Sequence, residues 1–348
     1  MHDVKRTDDV FAVRVWLGLV LGMILLMVAV GGITRLTDSG LSMVTWEPIL
    51  GVWPPTSAAD WQHRFDQYRQ FPEYQQLRKG MSLDELKMIF FWEYLHRLLG
   101  RLLGLVYAVP LAWLWWRGKL PRWMKVPLLV GLVLGGLQGV MGWYMVKSGL
   151  VDNPYVSHYR LAAHLGLAFI VFSYLLWLLL KTWPPARGEV PASRTARGWA
   201  YGLVALVVVQ IVWGAFVAGL NAGFMYNTFP KMQGHWIPPF WDQLAPLWRN
   251  AVDNPIAVQW IHRVLGTALL VLVLTAWAVL RRDPTVGGNR RSALALFVML
   301  LIAQFWLGVF TLVWAVPLAL GVMHQVMACL ICGASVLLIH TFRGAGHA

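Results

Sequence analysis

Charged residues are scarce in this sequence. Asp, Glu, Lys and Arg make up only 13% of the 348 residues and hydrophobic residues make up 58%, whereas soluble domains carry about 25% charged residues. This composition excludes a water-soluble globular fold. Apolar runs of about 20 residues, the length that crosses the hydrocarbon core of a bilayer, recur along the chain. The sequence predicts an all-α polytopic membrane protein with eight spans, near 12–34, 89–115, 124–146, 160–181, 198–220, 257–280, 292–315 and 320–341.

Cysteine and a cleavable leader are also lacking. The two cysteines, Cys329 and Cys332, both lie inside the last apolar run, which excludes a disulfide framework in the loops. Their spacing resembles a redox pair, but burial in a helix interface is the favoured interpretation. The first apolar run is too long for a signal peptide and has no small-residue cleavage site, so we expect it to be the first transmembrane helix.

Acidic residues are few relative to basic ones, which leaves a net charge of +13. The excess of Lys and Arg falls in the loops on the N-terminal side of the membrane, while the opposite loops are balanced. This positive-inside pattern predicts that both termini are cytoplasmic. Topology and contact with anionic membrane lipid account for the basic charge, so no nucleic-acid partner is predicted.

The sequence of the first outer loop predicts an amphipathic helix and a helix cap. Residues 61–78 are rich in Trp, Gln, Tyr and Arg, which favours amphipathic helix at the membrane interface. Ser82 is followed three residues later by Glu85, a capping box that predicts the start of the second long helix.

The chain contains a weak internal repeat. The segment Glu93-Tyr-Leu-His96-Arg97 recurs as Gln259-Trp-Ile-His262-Arg263. We predict two pseudo-symmetric four-helix bundles, formed by residues 1–185 and 186–348. Further matched positions are Gln138-x-x-x-Gly142 with Gln304-x-x-x-Gly308, and Gly31, Gly40 and Thr45 with Gly214, Gly223 and Thr228. The Gln-x-x-x-Gly repeats are interpreted as close helix packing.

Four histidines lie at similar depth, near the outer start of the even-numbered spans: His96, His164, His262 and His324. Two imidazoles that face each other across a four-helix unit can supply both axial ligands of a heme iron. The predicted pairs are His96 with His164 and His262 with His324. Interhelical hydrogen bonding is the alternative, and zinc is disfavoured because no Cys or Asp accompanies them. An ungapped repeat would choose His158 over His164, but His158 falls in the outer loop.

Ionisable residues inside spans are functional candidates because their burial is costly. Glu93 precedes His96 by three residues, so both side chains share one helix face. A carboxylate there could move protons or stabilise positive charge. Gln259 replaces it in the second half, which predicts chemistry in the first half and electron handling in the second. Alternatively, Glu93 pairs with Arg97 or Arg101.

The two arginines that follow histidines are the remaining candidates. Arg97 and Arg263 each come one residue after a histidine, where a guanidinium could bind heme propionates. Snorkelling of the side chain toward the helix end is the alternative interpretation.

Together these motifs resemble the heme A synthase family, in its proteobacterial and mitochondrial form, over nearly the whole chain. The first-span exit runs from Gly31 to Ser42 and is followed by Trp46-Glu-Pro48. The four histidine motifs are Glu93-Tyr-Leu-His-Arg97, Tyr159-Arg-Leu-Ala-Ala-His-Leu165, Gln259-Trp-Ile-His-Arg263 and Met323-His-Gln325.

The resemblance implies an activity, which is oxidation of a ring methyl of heme O to a formyl group, giving heme A for cytochrome oxidase. It implies that His262, His324 and Arg263 hold a resident heme b. His96, His164 and Arg97 would hold the substrate heme O, with Glu93 as catalytic acid. Some members of the family carry a cysteine pair in an outer loop, which this chain lacks.

The setting also follows from the resemblance. It implies the bacterial cytoplasmic (inner) membrane, heme sites toward the outer face, and a heme O synthase (a farnesyl transferase) as the partner that supplies substrate. Electrons would leave through heme b to an acceptor that the sequence does not identify. The sequence leaves open whether the chain forms a homo-oligomer.

Two other classes of protein compete with the enzyme. A diheme b-type electron carrier that does not modify heme would use the same histidine arrangement, and accumulation of formylated heme would distinguish the two. A transporter is also compatible with duplicated bundles that contain charges. It is disfavoured because the histidines lie near one surface.

Overall fold

The computed structural model describes residues 2–45, 50–149, 155–183 and 190–343. Trp46-Glu-Pro48 lies outside these residues. The described part is helical, with one isolated bridge between Met232 and His235. Its helices are α1 (His2–Leu36), α2 (Ala58–Tyr68), α3 (Pro72–Leu77), α4 (Leu83–Trp116), α5 (Lys125–Gly149), α6 (His158–Leu180), α7 (Arg194–Gly219), α8 (Asn250–Asp253), α9 (Pro255–Leu280), α10 (Gly288–Val313) and α11 (Leu318–Phe342).

Eight of these helices are long and apolar enough to cross a membrane, namely α1, α4, α5, α6, α7, α9, α10 and α11. The prediction of an all-α protein with eight transmembrane helices is therefore confirmed. The capping box is confirmed as well: the Glu85 backbone N–H donates to the Ser82 hydroxyl, and the Ser82 backbone N–H donates to the Glu85 carboxylate at 2.7 Å. This cap fixes where α4 starts.

The chain divides into two compact units after Ala168, inside α6. The boundary predicted from the repeats, at 185/186, lies outside the described residues. In the first unit α4 packs against α1, α2 and α5. Polar contacts reinforce these interfaces, since the Trp16 indole donates to the carbonyl of Val106 and the Tyr107 hydroxyl donates to that of Leu128, both at 2.8 Å.

The second unit contains a closed ring of four helices, because α7 contacts α9 and α11 while α10 also contacts α9 and α11. Its core includes the fully buried side chains of Val273, Phe297 and Leu338. Cys329 and Cys332 are buried and not bonded to each other, which agrees with a packing role. Pseudo-symmetry between the two bundles stays a prediction.

Candidate functional site

Each of the four predicted histidines rests on a glycine of the preceding long helix. A Cβ at these glycines would lie within 2.9–3.2 Å of the ring, closer than side chains tolerate without a shift. A side chain at Gly308 would force the ring to shift, and at the other three glycines the ring would have to give by a few tenths of an ångström. The four seats are Gly31 for His96, Gly142 for His164, Gly214 for His262 and Gly308 for His324.

At three of these glycine seats, a glutamine one helical turn before the glycine forms a hydrogen bond to the histidine helix; this bond is called the glutamine tie. The side-chain amides of Gln138, Gln210 and Gln304 donate to the backbone carbonyls of His164, His262 and His324 at 3.0–3.1 Å. The same amide nitrogens lie 3.3–3.5 Å from Nε2 of those histidines. The sequence repeats indicate Gln138 and Gln304 only as packing positions. Gln210-x-x-x-Gly214 has the same spacing, so this signal was available and missed.

The rings lie in two pairs, one in each unit. His96 and His164 are close enough to interact electrostatically, and so are His262 and His324. Nδ1 of His164, His262 and His324 is buried without a hydrogen-bond partner, and such atoms call for an explanation because buried polar groups are almost always satisfied. No group of three or more His, Cys, Asp or Glu in the described residues could hold a metal. Two neighbouring imidazoles in each unit fit a heme iron with two histidine ligands; the ligation itself stays a prediction.

The surroundings of the two competing histidines on α6 differ. His158 begins the helix, and its ring lies 4.0 Å from the ring of Tyr159. His164 lies on Gly142 and next to Gln138, as the other predicted ligands do on their own glycine seats. The structure thus gives His164 a glycine seat like those of the other three predicted ligands.

Glu93 lies at the centre of a polar network in the first unit. Its side chain is only 4% exposed, and it accepts hydrogen bonds from the Ser42 hydroxyl at 2.7 Å and the Met43 backbone N–H at 2.8 Å. Arg97, one turn further along α4, forms an ion pair with it. The alternative that Glu93 pairs with Arg97 is therefore realised. The pair fixes the carboxylate in one orientation, which is compatible with structural and chemical roles alike.

The two arginines donate hydrogen bonds to backbone carbonyls. Arg97 donates to the carbonyls of Met43 and Thr45 at 2.9 and 3.1 Å. In the second unit Arg263 donates to the carbonyls of Tyr226 and Thr228. Each guanidinium thus anchors the chain that leaves the preceding span onto the histidine helix. Arg263 Nε is buried without a partner, and contact of either arginine with a propionate stays a prediction.

The equivalent of Glu93 in the second unit makes a different set of bonds. The Gln259 amide donates to the Tyr226 carbonyl at 3.2 Å, and its Oε1 is buried without a partner. Arg97 is bonded to two carbonyl oxygens and to the carboxylate of Glu93. Because Gln259 is neutral, Arg263 has the two carbonyl oxygens but no such carboxylate. A buried carboxylate beside the histidine pair is thus a feature of the first unit.

The sequence of this chain matches one protein family over most of its length. The pattern of the COX15-CtaA family, described as cytochrome oxidase assembly protein, matches residues 14–336. The chain belongs to the COX15-CtaA family. The predicted resemblance is confirmed, and membership together with eight apolar helices identifies an integral membrane protein.

Relatives in this family cover nearly the whole chain. The heme A synthase of Nitrosospira multiformis is 45% identical over 346 residues, which is 97% of both chains. The heme A synthase of Rhodospirillum centenum is 48% identical over 337 residues, 95% of this chain and 88% of the relative. The heme A synthase of Nitrosomonas eutropha is 42% identical over 330 residues, 94% of this chain and 92% of the relative.

This COX15-CtaA protein also buries a carboxylate in the segment between α1 and α4, which nothing in the polar sequence there indicated. Glu73 of α3 is 4% exposed, and Arg78 Nε donates to it at 3.4 Å. Arg78 also donates to the Asp38 carbonyl at 2.9 Å. Burial raises the pKa of Glu73 to about 7, although the nearby Arg78 lowers it; Tyr68 and Glu93 also face the carboxyl group.

Glu73 is expected to make stability fall as pH rises. Its folded pKa, near 7, lies above the ordinary value of 4.5. The stability it contributes is therefore fully present below about pH 4.5 and lost as pH rises through 7, by on the order of 3 kcal/mol. Glu73→Gln removes the titrating group and should flatten that part of the profile. The measurement is the melting temperature of purified wild type and variant between pH 5 and 8.

An acid-to-amide change at an exposed carboxylate of the same loop, Asp66→Asn, serves as the control. It should keep the wild-type pH dependence. Superimposable profiles of Glu73→Gln and wild type would show that Glu73 does not titrate in this range.

Proposed function

We propose that this chain is a heme A synthase of a bacterial cytoplasmic membrane. It oxidises a ring methyl of heme O to a formyl group and so produces heme A for cytochrome oxidase. The names of its relatives support the proposal. The observation that carries it is that the chain holds two histidine pairs, and the first shares its unit with the buried carboxylate of Glu93 while the second has the neutral Gln259.

The two pairs have different roles. His262 and His324 hold the resident heme b, and their rings are seated on Gly214 and Gly308. A heme b held there would supply one-electron transfer. His96 and His164 hold the substrate heme O.

Glu93 handles protons at the substrate site. Conversion of a methyl to a formyl group adds one oxygen atom; with water as the oxygen source it releases four protons and four electrons, and a carboxylate close to the ring can accept such protons in turn. Ser42, Met43 and Arg97 hold this carboxylate in a fixed orientation. Such preorganisation avoids rearrangement during the reaction. Arg97 is then a positioning residue, since its guanidinium is bonded to Glu93 and to two carbonyl oxygens.

The membrane setting follows from the charge pattern. Basic loops on the N-terminal side put both termini in the cytoplasm. The histidines, at the opposite ends of their spans, then lie toward the outer face. A heme O synthase supplies the substrate, and anionic lipid contacts the basic loops.

Heme extraction tests the function. The gene is expressed in cells that produce heme O but lack their own heme A synthase, and the extracted hemes are identified by mass. We expect heme A alongside heme O. Well-folded, heme-loaded protein with only heme b and heme O would contradict the proposal and support a diheme electron carrier. Purified protein without heme would contradict both the enzyme and the electron carrier and would support a transporter.

A further inference from the structure

The four histidine seats are alike in their glycine but not in the residue one turn before it. Three have the glutamine tie of Gln138, Gln210 or Gln304. The fourth has Met27, four residues before Gly31. The positions are equivalent in space: Met27 Cε lies 3.7 Å from a Cβ placed at Gly100, just as Gln210 Nε2 lies 3.1 Å from one at Gly266.

The ring of His96 is also turned differently from the other three. It presents Nε2 and Cδ2 to its glycine, at 3.2 and 3.5 Å from the Cβ position of Gly31. His164, His262 and His324 present Cε1 and Nδ1 instead. Among the described residues, no hydrogen bond reaches the His96 ring, so packing alone holds it.

A tied histidine and an untied one should differ as metal ligands. Groups outside the ligand shell that fix a ligand's orientation typically change metal affinity by about 10–100-fold. The glutamine tie joins the ligand helix to its neighbour at the level of the ring. The tie is made to the backbone carbonyl of the histidine, so it holds the ligand helix and not the ring itself. A histidine without the tie can move with its helix away from a bound iron without breaking this hydrogen bond.

We propose that Met27 makes His96 the exchangeable heme ligand of this chain. The substrate heme enters and the product heme leaves at the seat that lacks a glutamine tie, while the tied pair His262 and His324 retains its heme between turnovers. This inference rests on the proposed function, because it assumes that the heme of the first unit is replaced and that of the second is resident. Met27 is a positioning residue that acts through His96.

Heme transfer to a scavenger tests the proposal without requiring turnover. The full chain is purified, loaded with hemin and mixed with excess apomyoglobin, and transfer is followed by absorbance. The kinetic phase of heme transfer that disappears in the His164→Ala variant is assigned to heme leaving the first unit. Met27→Gln introduces the tie and should slow that phase about tenfold, the effect of one added hydrogen bond. Met27→Leu, which adds no donor, is the reference and should transfer at the wild-type rate.

The reciprocal change completes the design. Gln210→Met removes the tie beside His262 and should accelerate heme loss from the second unit about tenfold. Equal first-unit rates in Met27→Gln and Met27→Leu, with normal heme loading, would overturn the inference and leave the proposed function standing. If wild type showed no phase dependent on His164, both the substrate site and this inference would fall.

Discussion

Glu93→Gln is expected to lower heme A output by about 100-fold while protein level and bound heme b stay at the wild-type value. General acid–base catalysis contributes about 10²–10⁴-fold, and glutamine cannot accept a proton at this position. The amide is close in shape to the carboxylate, and its oxygen can still accept from Ser42 and Met43. The measurement is the ratio of heme A to heme O by mass analysis, at matched protein level.

The second unit shows why this variant should fold. Gln259 stands in the equivalent place, and Arg263 beside it is held by the carbonyls of Tyr226 and Thr228. Arg97 keeps its own two carbonyl partners when Glu93 is neutral. Buried ion pairs are otherwise expensive to break, at about 3–5 kcal/mol, because the remaining charge is left uncompensated.

Asp84→Asn is the matched control, an acid-to-amide change on the exposed first turn of α4. It should leave heme A output unchanged. Full output from Glu93→Gln would contradict a catalytic role. Loss of the folded protein in Glu93→Gln would instead assign the Glu93–Arg97 pair to stability.

Gly308→Ala is expected to remove most of the heme b, at least about tenfold per mole of protein. The added Cβ would lie 2.9 Å from Cε1 of His324, so the ring must shift from its present position. The measurement is the heme b content of the purified variant, determined from the absorbance of its pyridine complex. The effect should exceed that of an ordinary core substitution because the displaced group is itself a ligand.

Gly202→Ala on α7 provides the comparison. A Cβ there meets nothing within 4 Å, and alanine favours helix over glycine by about 1 kcal/mol. This variant should keep its heme b and be at least as stable as wild type. Equal heme b content in Gly308→Ala and Gly202→Ala would show that His324 is not held at Gly308 when heme is bound.

The arginines illustrate the limit of motif-based prediction. Their position after each histidine indicates propionate binding or snorkelling, and the sequence offers no reason to choose a third possibility. In the structure both anchor backbone carbonyls of the segment that follows the preceding span. The segment and the arginine are about fifty residues apart in the first unit, so no local pattern links them.

The sequence by itself determined the features that depend on local chemistry. The eight spans follow from the length of the apolar runs, and the start of α4 follows from Ser82 and Glu85. The shared depth of the four histidines stays a prediction. The contrast between Glu93 and Gln259 is visible in the repeat as well. These features could be predicted because hydropathy, caps and helical spacing act between residues close in the chain.

Only the tertiary structure decided which distant groups meet. It placed Ser42 and Met43 on Glu93, gave three histidines a glutamine tie and left His96 with Met27, and buried Glu73 beneath an otherwise polar loop. These contacts depend on how each helix is rotated about its axis and how loops fold back onto it. When a helix is apolar on all sides, its hydropathy pattern does not indicate which face packs against protein and which faces lipid, because both surroundings are apolar.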